Sequence, residues 1–241
     1  MKARASSVRS CALAGFCALA GTGCITTPAS ESGYSRRTRD LVPQACGESG
    51  RIEDAEDGDN RILVREGRGG YWFTSVDSAG SSVVPTGTFT MSQPGHDGSL
   101  HAARIHGTMA GSGDSVYASM GFGFADPHGP YDASRYSGVS FWAKGPAHIR
   151  FEVPDAYTDP GGGNCKDCYN DFGIELGLTS EWQRYTIPFE WLAQRPGWGD
   201  PRSALTKSEI FALEWQFGTP GRDFDVWVDD ITFVCGTAGA P

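Results

Sequence analysis

The sequence predicts an all-β domain, an antiparallel β-sandwich of jelly-roll type. Three observations carry this. From Cys46 onward the chain is Gly-rich, with short β-branched or aromatic runs set between turn residues. Those runs recur at the spacing of sandwich strands. No stretch holds a long 3.6-residue apolar period, and no internal repeat is visible.

Taken in order, the strand candidates are RILV (61–64), YWFTSV (71–76), TGTFTM (86–91), AARIHG (102–107), SVYASMGFGF (115–124), GVSFWAK (138–144), HIRFEV (148–153), FGIELGL (172–178), QRYTIPF (183–189), FALEWQF (211–217) and DVWVDDITFV (225–234). Each alternates or is rich in the residue types that fit a pleated surface. Helical turns are expected only in PFEWLAQ (188–194) and DPRSALTKSEI (200–210).

Side-chain alternation assigns faces. Val116, Ala118, Met120, Phe122 and Phe124 share one face and read as core, as do Ile149, Phe151 and Val153, then Ile174, Leu176 and Leu178, then Phe211, Leu213, Trp215 and Phe217. The opposite face carries Tyr117, Ser119, Gly121, Gly123, Arg150, Glu152, Gly173, Glu175, Gly177, Ala212, Glu214 and Gln216. One reading is an ordinary solvated sheet face. The other is a shallow groove, where glycines leave room and planar polar groups bond hydroxyls.

The N-terminus reads as an export signal. Lys2, Arg4 and Arg9 precede the short apolar run 11–21, which is too short to span a membrane as a helix. Small residues then lead to Cys24 in "GTGC", an arrangement that resembles a bacterial lipobox, with Gly21 where Leu is usual. The expectation is a signal peptide over 1–24 with lipidation at Cys24, a tether over 25–45, the domain over 46–236 and a tail over 237–241. An extracytoplasmic, lipid-anchored or otherwise secreted monomer follows. Taking the three leader cations from the 20 Lys and Arg leaves 17 against 29 acidic residues, or −12. That balance argues against nucleic acid as a partner.

Four cysteines remain beyond Cys24, and in an oxidising compartment they suggest disulfides. Three pairings exist. Cys46 with Cys235 would staple the first and last strands, leaving Cys165 with Cys168 to lock a small loop. Zinc held by four thiolates is the sharper alternative, and a redox CxxC a weaker one, because "PGGGNCKDCYNDFG" is loop sequence.

The order of RIEDAEDGDNRI (51–62), YSGVSFWAKGP (136–146), SEWQRYTIPFEWL (180–192) and DFDVWVDDITF (223–233) resembles the galactose-binding-like jelly roll, in the style of family 11 carbohydrate-binding modules and related exported bacterial proteins. The resemblance covers 46–235. It implies carbohydrate binding without turnover, and a structural calcium ion where the first and last strands meet. Glu56 and Asp229 match the side-chain ligands best, with Asp57 and Asp230, then Asp54 and Asp59, as neighbours; hard cations take oxygen ligands. That gives the adjacent pair Asp229-Asp230, unusual in a strand, a role as ligand, solvated strand end or catalytic acid.

Tyr117 on the polar face, joined by Trp72 or Tyr131 from Gly- or Pro-flanked loops at its rim, is expected to stack on sugar rings, with Arg150, Glu152, Glu175, Gln216 and Asp171 bonding hydroxyls. Tyr71 and Trp198 lie in similar loops, whereas Trp182, Trp191 and Trp215 read as packing, and Trp142 and Trp227 stay unplaced. The alternatives are a glycan hydrolase or lyase using Glu152, Glu175 and Glu214, and a lipoprotein that binds protein. No GxSxG, P-loop or HExxH is present, and the five histidines are scattered.

Overall fold

The computed structural model describes residues 44–113, 115–145 and 148–235. The expected leader, lipidation at Cys24 and tail fall on residues outside these. Eleven strands follow one another: β1 Gln44–Ala45, β2 Arg51–Glu53, β3 Trp72–Val76, β4 Ala103–Thr108, β5 Ala118–Gly123, β6 Tyr136–Lys144, β7 His148–Val153, β8 Phe172–Gly177, β9 Gln183–Pro188, β10 Ala212–Phe217 and β11 Asp223–Cys235. Gln44–Ala45, assigned above to the tether, pairs with Val234 and Cys235 and so joins the sheet. Among the described residues helix is limited to short 3-10 turns, two of which, Phe189–Trp191 and Lys207–Glu209, fall where helical turns were expected.

The strands form two antiparallel sheets. One runs β1-β11-β6-β9, with β2 and β4 also pairing on the long β11; the other runs β3-β5-β10-β7-β8. Residues on the inner faces interdigitate. Phe141 of the first sheet packs 5.2 Å from Phe151 and 5.3 Å from Trp215 of the second. Full burial of each such side chain contributes roughly 1.5–3 kcal/mol. Alternation placed this core correctly: Ala118, Met120, Phe122, Phe124, Ile149, Phe151, Leu213 and Trp215 are all buried.

Two expected strands do not form. RILV makes only an isolated bridge, Arg61 to Tyr71, because the Arg65–Arg68 turn bends the chain away. TGTFTM is loop: Gly87 has a left-handed φ of +78° that breaks the pleat, and Phe89 instead drops into the core, 5.1 Å from Trp72.

The structure closes Cys46–Cys235 and Cys165–Cys168 as disulfides, which leaves no thiolate among these four for zinc. It also explains how a strand holds Asp229-Asp230. The register of β11 against β6 breaks between Asp229 and Thr232, and Asp230 has φ +49°. This bulge turns the neighbours apart. Asp229 points inward and accepts the His96 N–H at 2.8 Å and the Asp230 N–H at 2.8 Å; Asp230 stays exposed.

Candidate ligand-binding groove

Pairing in the five-stranded sheet lines the outward side chains into two rows. One reads Phe73, Gly121, Glu214, Glu152, Gly173; the other reads Ser75, Ser119, Gln216, Arg150, Glu175. In the first row two glutamates stand side by side between two glycines. A Cβ on Gly121 would sit 2.7 Å from Glu214 Cγ, and one on Gly173 would sit 2.7 Å from Arg150 Nε and 2.9 Å from Glu152 Cγ. The glycines thus give the long central side chains room to lie flat.

Over these rows lies a groove of about 1180 Å³. Phe73, Tyr117, Ser119, Glu152, Glu214 and Gln216 contribute from the strands, and Asp167, Tyr169, Asp171, Arg195 and Trp198 from two loops. The loops brace each other. Asn170 Nδ2 donates to the carbonyls of Arg195 (2.8 Å) and Trp198 (2.7 Å), and its Oδ1 accepts the Arg195 N–H (2.9 Å). Asp167 Oδ2 accepts the Gly199 N–H at 3.0 Å, and Asp200 Oδ2 accepts the N–H of Lys166. The Cys165–Cys168 bridge closes the same segment, and the next residue, Tyr169, has a left-handed φ of +72°. That conformation is costly for an aromatic residue and persists only where the surroundings fix it. Its ring is 68% exposed, and Trp198 is 44% exposed.

Arg150 ties the floor together. Its Nε donates to Glu152 at 2.8 Å, Nη1 to Glu175 at 3.2 Å, and Nη2 to the carbonyls of Ala193 (2.6 Å) and Asp171 (3.4 Å). Arg195 then bridges Glu175 (3.3 Å) and Gln216 (3.4 Å). Burial pushes the Glu152 carboxyl up to about 7, with Asp171 adding to the rise and Arg150 opposing it. Burial likewise raises Asp171 to about 6, against the pull of the Thr158 hydroxyl. Glu214 is raised well above the usual carboxylate range by burial, then by Asp171 and Glu152, with the Ser119 hydroxyl, 3.4 Å away, opposing.

Of the expected ligand residues, Tyr117, Glu152, Asp171 and Gln216 come together in the groove. Three expectations need correction. Trp72 is 3% exposed and faces the core, stacked between Phe89 and Trp215, because β3 turns Phe73 outward instead. Tyr131 is buried too, stacked 5.2 Å from Phe124, with its hydroxyl accepting from Arg68 at 2.8 Å. Arg150 is 6% exposed and its donors go to the protein, so it holds the floor rather than a ligand. Glu175 is exposed beside it, paired to both arginines. Tyr169, Phe73 and Arg195 are groove residues not anticipated from sequence.

The two unplaced tryptophans lie on the other sheet. Trp142 stacks on His96 at 3.8 Å, and Trp227 lies under Arg104 (4.5 Å) and Lys144 (4.7 Å). Near them, the expected calcium ligands Glu56 and Asp229 meet at Ser99. Glu56 Oε1 accepts the Ser99 hydroxyl at 2.7 Å and the N–H groups of Leu100 (2.9 Å) and His101 (3.1 Å), and the Ser99 hydroxyl also favours the charged form of Asp229. Burial and the adjacent Asp230 raise Asp229 to about 6, against the His96 and Asp230 N–H groups, so a cation there would relieve its charge. Asp57 caps its own turn at the Asp59 N–H (3.3 Å), and Asp230 faces His96 Nδ1 (3.6 Å). Among the described residues no three His, Cys, Asp or Glu side chains form a group able to hold a metal. An ion between Glu56 and Asp229 would need most of its shell from backbone oxygens and water.

No family model and no curated protein matches the chain. Solved structures do. A family 11 carbohydrate-binding module from a cellulosomal cellulase of Clostridium thermocellum aligns over 78% of this chain and 95% of its own, at 17% identity and a TM-score of 0.55. A family 11 module from Clostridium thermocellum in complex with a β-1,3-1,4-mixed-linked tetrasaccharide covers 74% and 96%, at 18% identity and 0.50. A family 30 carbohydrate-binding module covers 74% and 96%, at 14% identity and 0.52. The chain therefore has the β-sandwich fold of these modules. No helix among the described residues is long and apolar enough to cross a membrane.

Proposed function

We propose that this domain binds carbohydrate, as a poly- or oligosaccharide, in the groove on its five-stranded sheet. One observation carries the reading: exposed Tyr169 and Trp198 stand with Tyr117 around a floor of Ser119, Gln216, Glu152 and Glu214. Sugar rings offer apolar faces to stack on aromatics and hydroxyls to bond planar polar groups. The sandwich shared with carbohydrate-binding modules supports the same class of ligand.

The reading includes export, supported by two disulfides, a lipid at Cys24, and a scaffold calcium ion at Glu56 and Asp229 that does not touch the glycan. The test is binding of the protein to a panel of soluble polysaccharides in calcium, with released reducing sugar assayed in the same samples. Saturable binding without release supports it. A folded protein that binds nothing on a broad panel would overturn it in favour of a protein-binding surface.

A second reading, a glycan hydrolase, rests on Glu152 and Glu214. They face each other across β7 and β10, and both hold their protons more tightly than free carboxyls do. Directly paired side chains start about 5 Å apart at Cβ, which sets two carboxyls on one face, and a glycosidase needs two carboxyls in one cleft. Sugar released by the wild type and not by Glu214→Gln would establish it.

A further inference from the structure

We propose that the opposite face of the sandwich carries a second glycan contact, a hollow at Trp142 and Arg184 that takes the ring and carboxylate of a hexuronate. The hollow measures about 360 Å³ and lies on the sheet of β6, β9 and β11, away from the groove. That volume falls in the range of small-ligand sites. Glu48, Arg51, Asp230 and Thr232 line it together with Trp142 and Arg184. Alternation builds the floor. Phe141 and Tyr185 point into the core, so Trp142 and Arg184, directly opposed across β6 and β9, point out as neighbours. His96 stacks on one face of the Trp142 indole at 3.8 Å and steadies the ring, which still lines the hollow.

The charges of the hollow are matched, with one exception. Glu48 pairs with Arg65 at 3.0 Å and lies 3.5 Å from Arg51; Arg51 pairs with Asp54 at 3.0 Å; Asp230 faces His96 Nδ1 at 3.6 Å. Arg184 has no acidic partner among the described residues. Its Nε donates to the Ser140 hydroxyl at 2.9 Å, which anchors the guanidinium and leaves its Nη groups unclaimed by the protein. A guanidinium held in this way offers a planar fork that matches a carboxylate. The indole beside it offers an apolar surface for a sugar ring. The two needs are met together by a sugar that carries a carboxylate on its own ring. A neutral sugar would cover the guanidinium without matching its charge. A phosphate, with roughly two negative charges, would meet more repulsion from Glu48 and Asp230. The site shares no residue with the groove, so it stands or falls apart from the reading above.

The test is calorimetry of the full-length protein with a galacturonate hexasaccharide, its methyl ester and a neutral β-glucan hexasaccharide. The galacturonate chain is expected to bind about tenfold tighter than its ester, the worth of one charged hydrogen bond, and to lose that margin as salt is raised. Arg184→Gln, at an exposed position, should remove the margin with Tm unchanged. Trp142→Ala, checked to melt as a single folded species, should weaken acid and ester alike by about tenfold. Arg222→Gln, an exposed arginine just before β11, controls for net charge and should change neither. Equal affinity for acid and ester, or a margin kept in Arg184→Gln or lost equally in Arg222→Gln, would overturn the inference. So would galacturonate binding that is lost in Tyr169→Ala and kept in Arg184→Gln, which would place the uronate in the groove. Arg184-dependent sedimentation with phosphatidylglycerol vesicles, without galacturonate binding, would give this face to a membrane instead. The β-glucan titration decides the groove separately, and its outcome in Arg184→Gln should equal that of the wild type.

Discussion

Arg150→Met keeps most of the buried stem and deletes the guanidinium, leaving Glu152 and the Asp171 carbonyl without that donor, while the Ala193 carbonyl keeps the Gly173 N–H at 3.0 Å. The Glu152 carboxyl already sits at about 7 in the folded protein. On losing its partner it can take a proton rather than stay charged. Near pH 8 this limits the added ionisation cost to about 1.4 kcal/mol, the step from about 7 to 8. The stranded Asp171 carbonyl adds roughly 1–3 kcal/mol. The total, about 2–4 kcal/mol, reaches the low end of what breaking a buried ion pair costs. For a domain of this size it lowers Tm by roughly 4–16 °C. The direction with pH follows from the raised folded value. Wild-type stability from this group is complete below its ordinary value of 4.5, falls as pH rises to about 7, and then levels off. In the variant it keeps falling, so the penalty near pH 5 should be smaller by about 1.4 kcal/mol. Thermal melts of both proteins at the two pH values, in the same salt, measure this. An equal loss at both would refute the coupling between Arg150 and Glu152, and a loss under about 1 kcal/mol would refute its role in holding the floor.

Four other outcomes are expected. Tyr169→Ala and Trp198→Ala should each weaken glycan binding about tenfold, the upper end of an aromatic contact's worth, with Tm nearly unchanged. Trp72→Ala should instead destabilise by about 3–5 kcal/mol as a core cavity, seen as a large drop in the urea midpoint. Replacing Cys46 and Cys235 by Ser should cost roughly 5 kcal/mol, against roughly 2 for Cys165 and Cys168, because the closed loops span separations of 189 and 3 residues; paired denaturant melts compare them. Calcium should raise Tm relative to chelator in the wild type and not in Asp229→Asn, and an identical Tm with and without calcium in the wild type would count against the ion.

Much of the sandwich was legible because alternation is a local property. In β5, β7 and β10 it separated Phe122, Phe151 and Trp215 from Gly121, Glu152 and Glu214 with no slip. The same rule, carried through YWFTSV, would have put Trp72 inward and Phe73 over the groove; reading Trp72 as a loop residue beside Gly69 and Gly70 lost that. Tyr131 had no such signal, since its place between Phe124 and Phe233 is set by residues distant in sequence. The groove wall was illegible for the same reason: Asn170 holds Arg195 and Trp198 across more than twenty residues. Alternation placed Arg150 on the correct face, yet whether its guanidinium meets water or four protein acceptors depends on loops that pattern does not reach.

The Cys46–Cys235 bond also decides how the domain bears load. A ligand held on the five-stranded sheet and a chain leading away before Gln44 would put the molecule in tension. β1 has only two residues on β11 to resist being peeled off. The bridge carries a pull arriving there directly into β11, whose thirteen residues are laced to β1, β2, β4 and β6. Unzipping one short edge is thereby replaced by shearing several ladders at once, so the fold is cross-linked at the point where a tethered binder would be tugged.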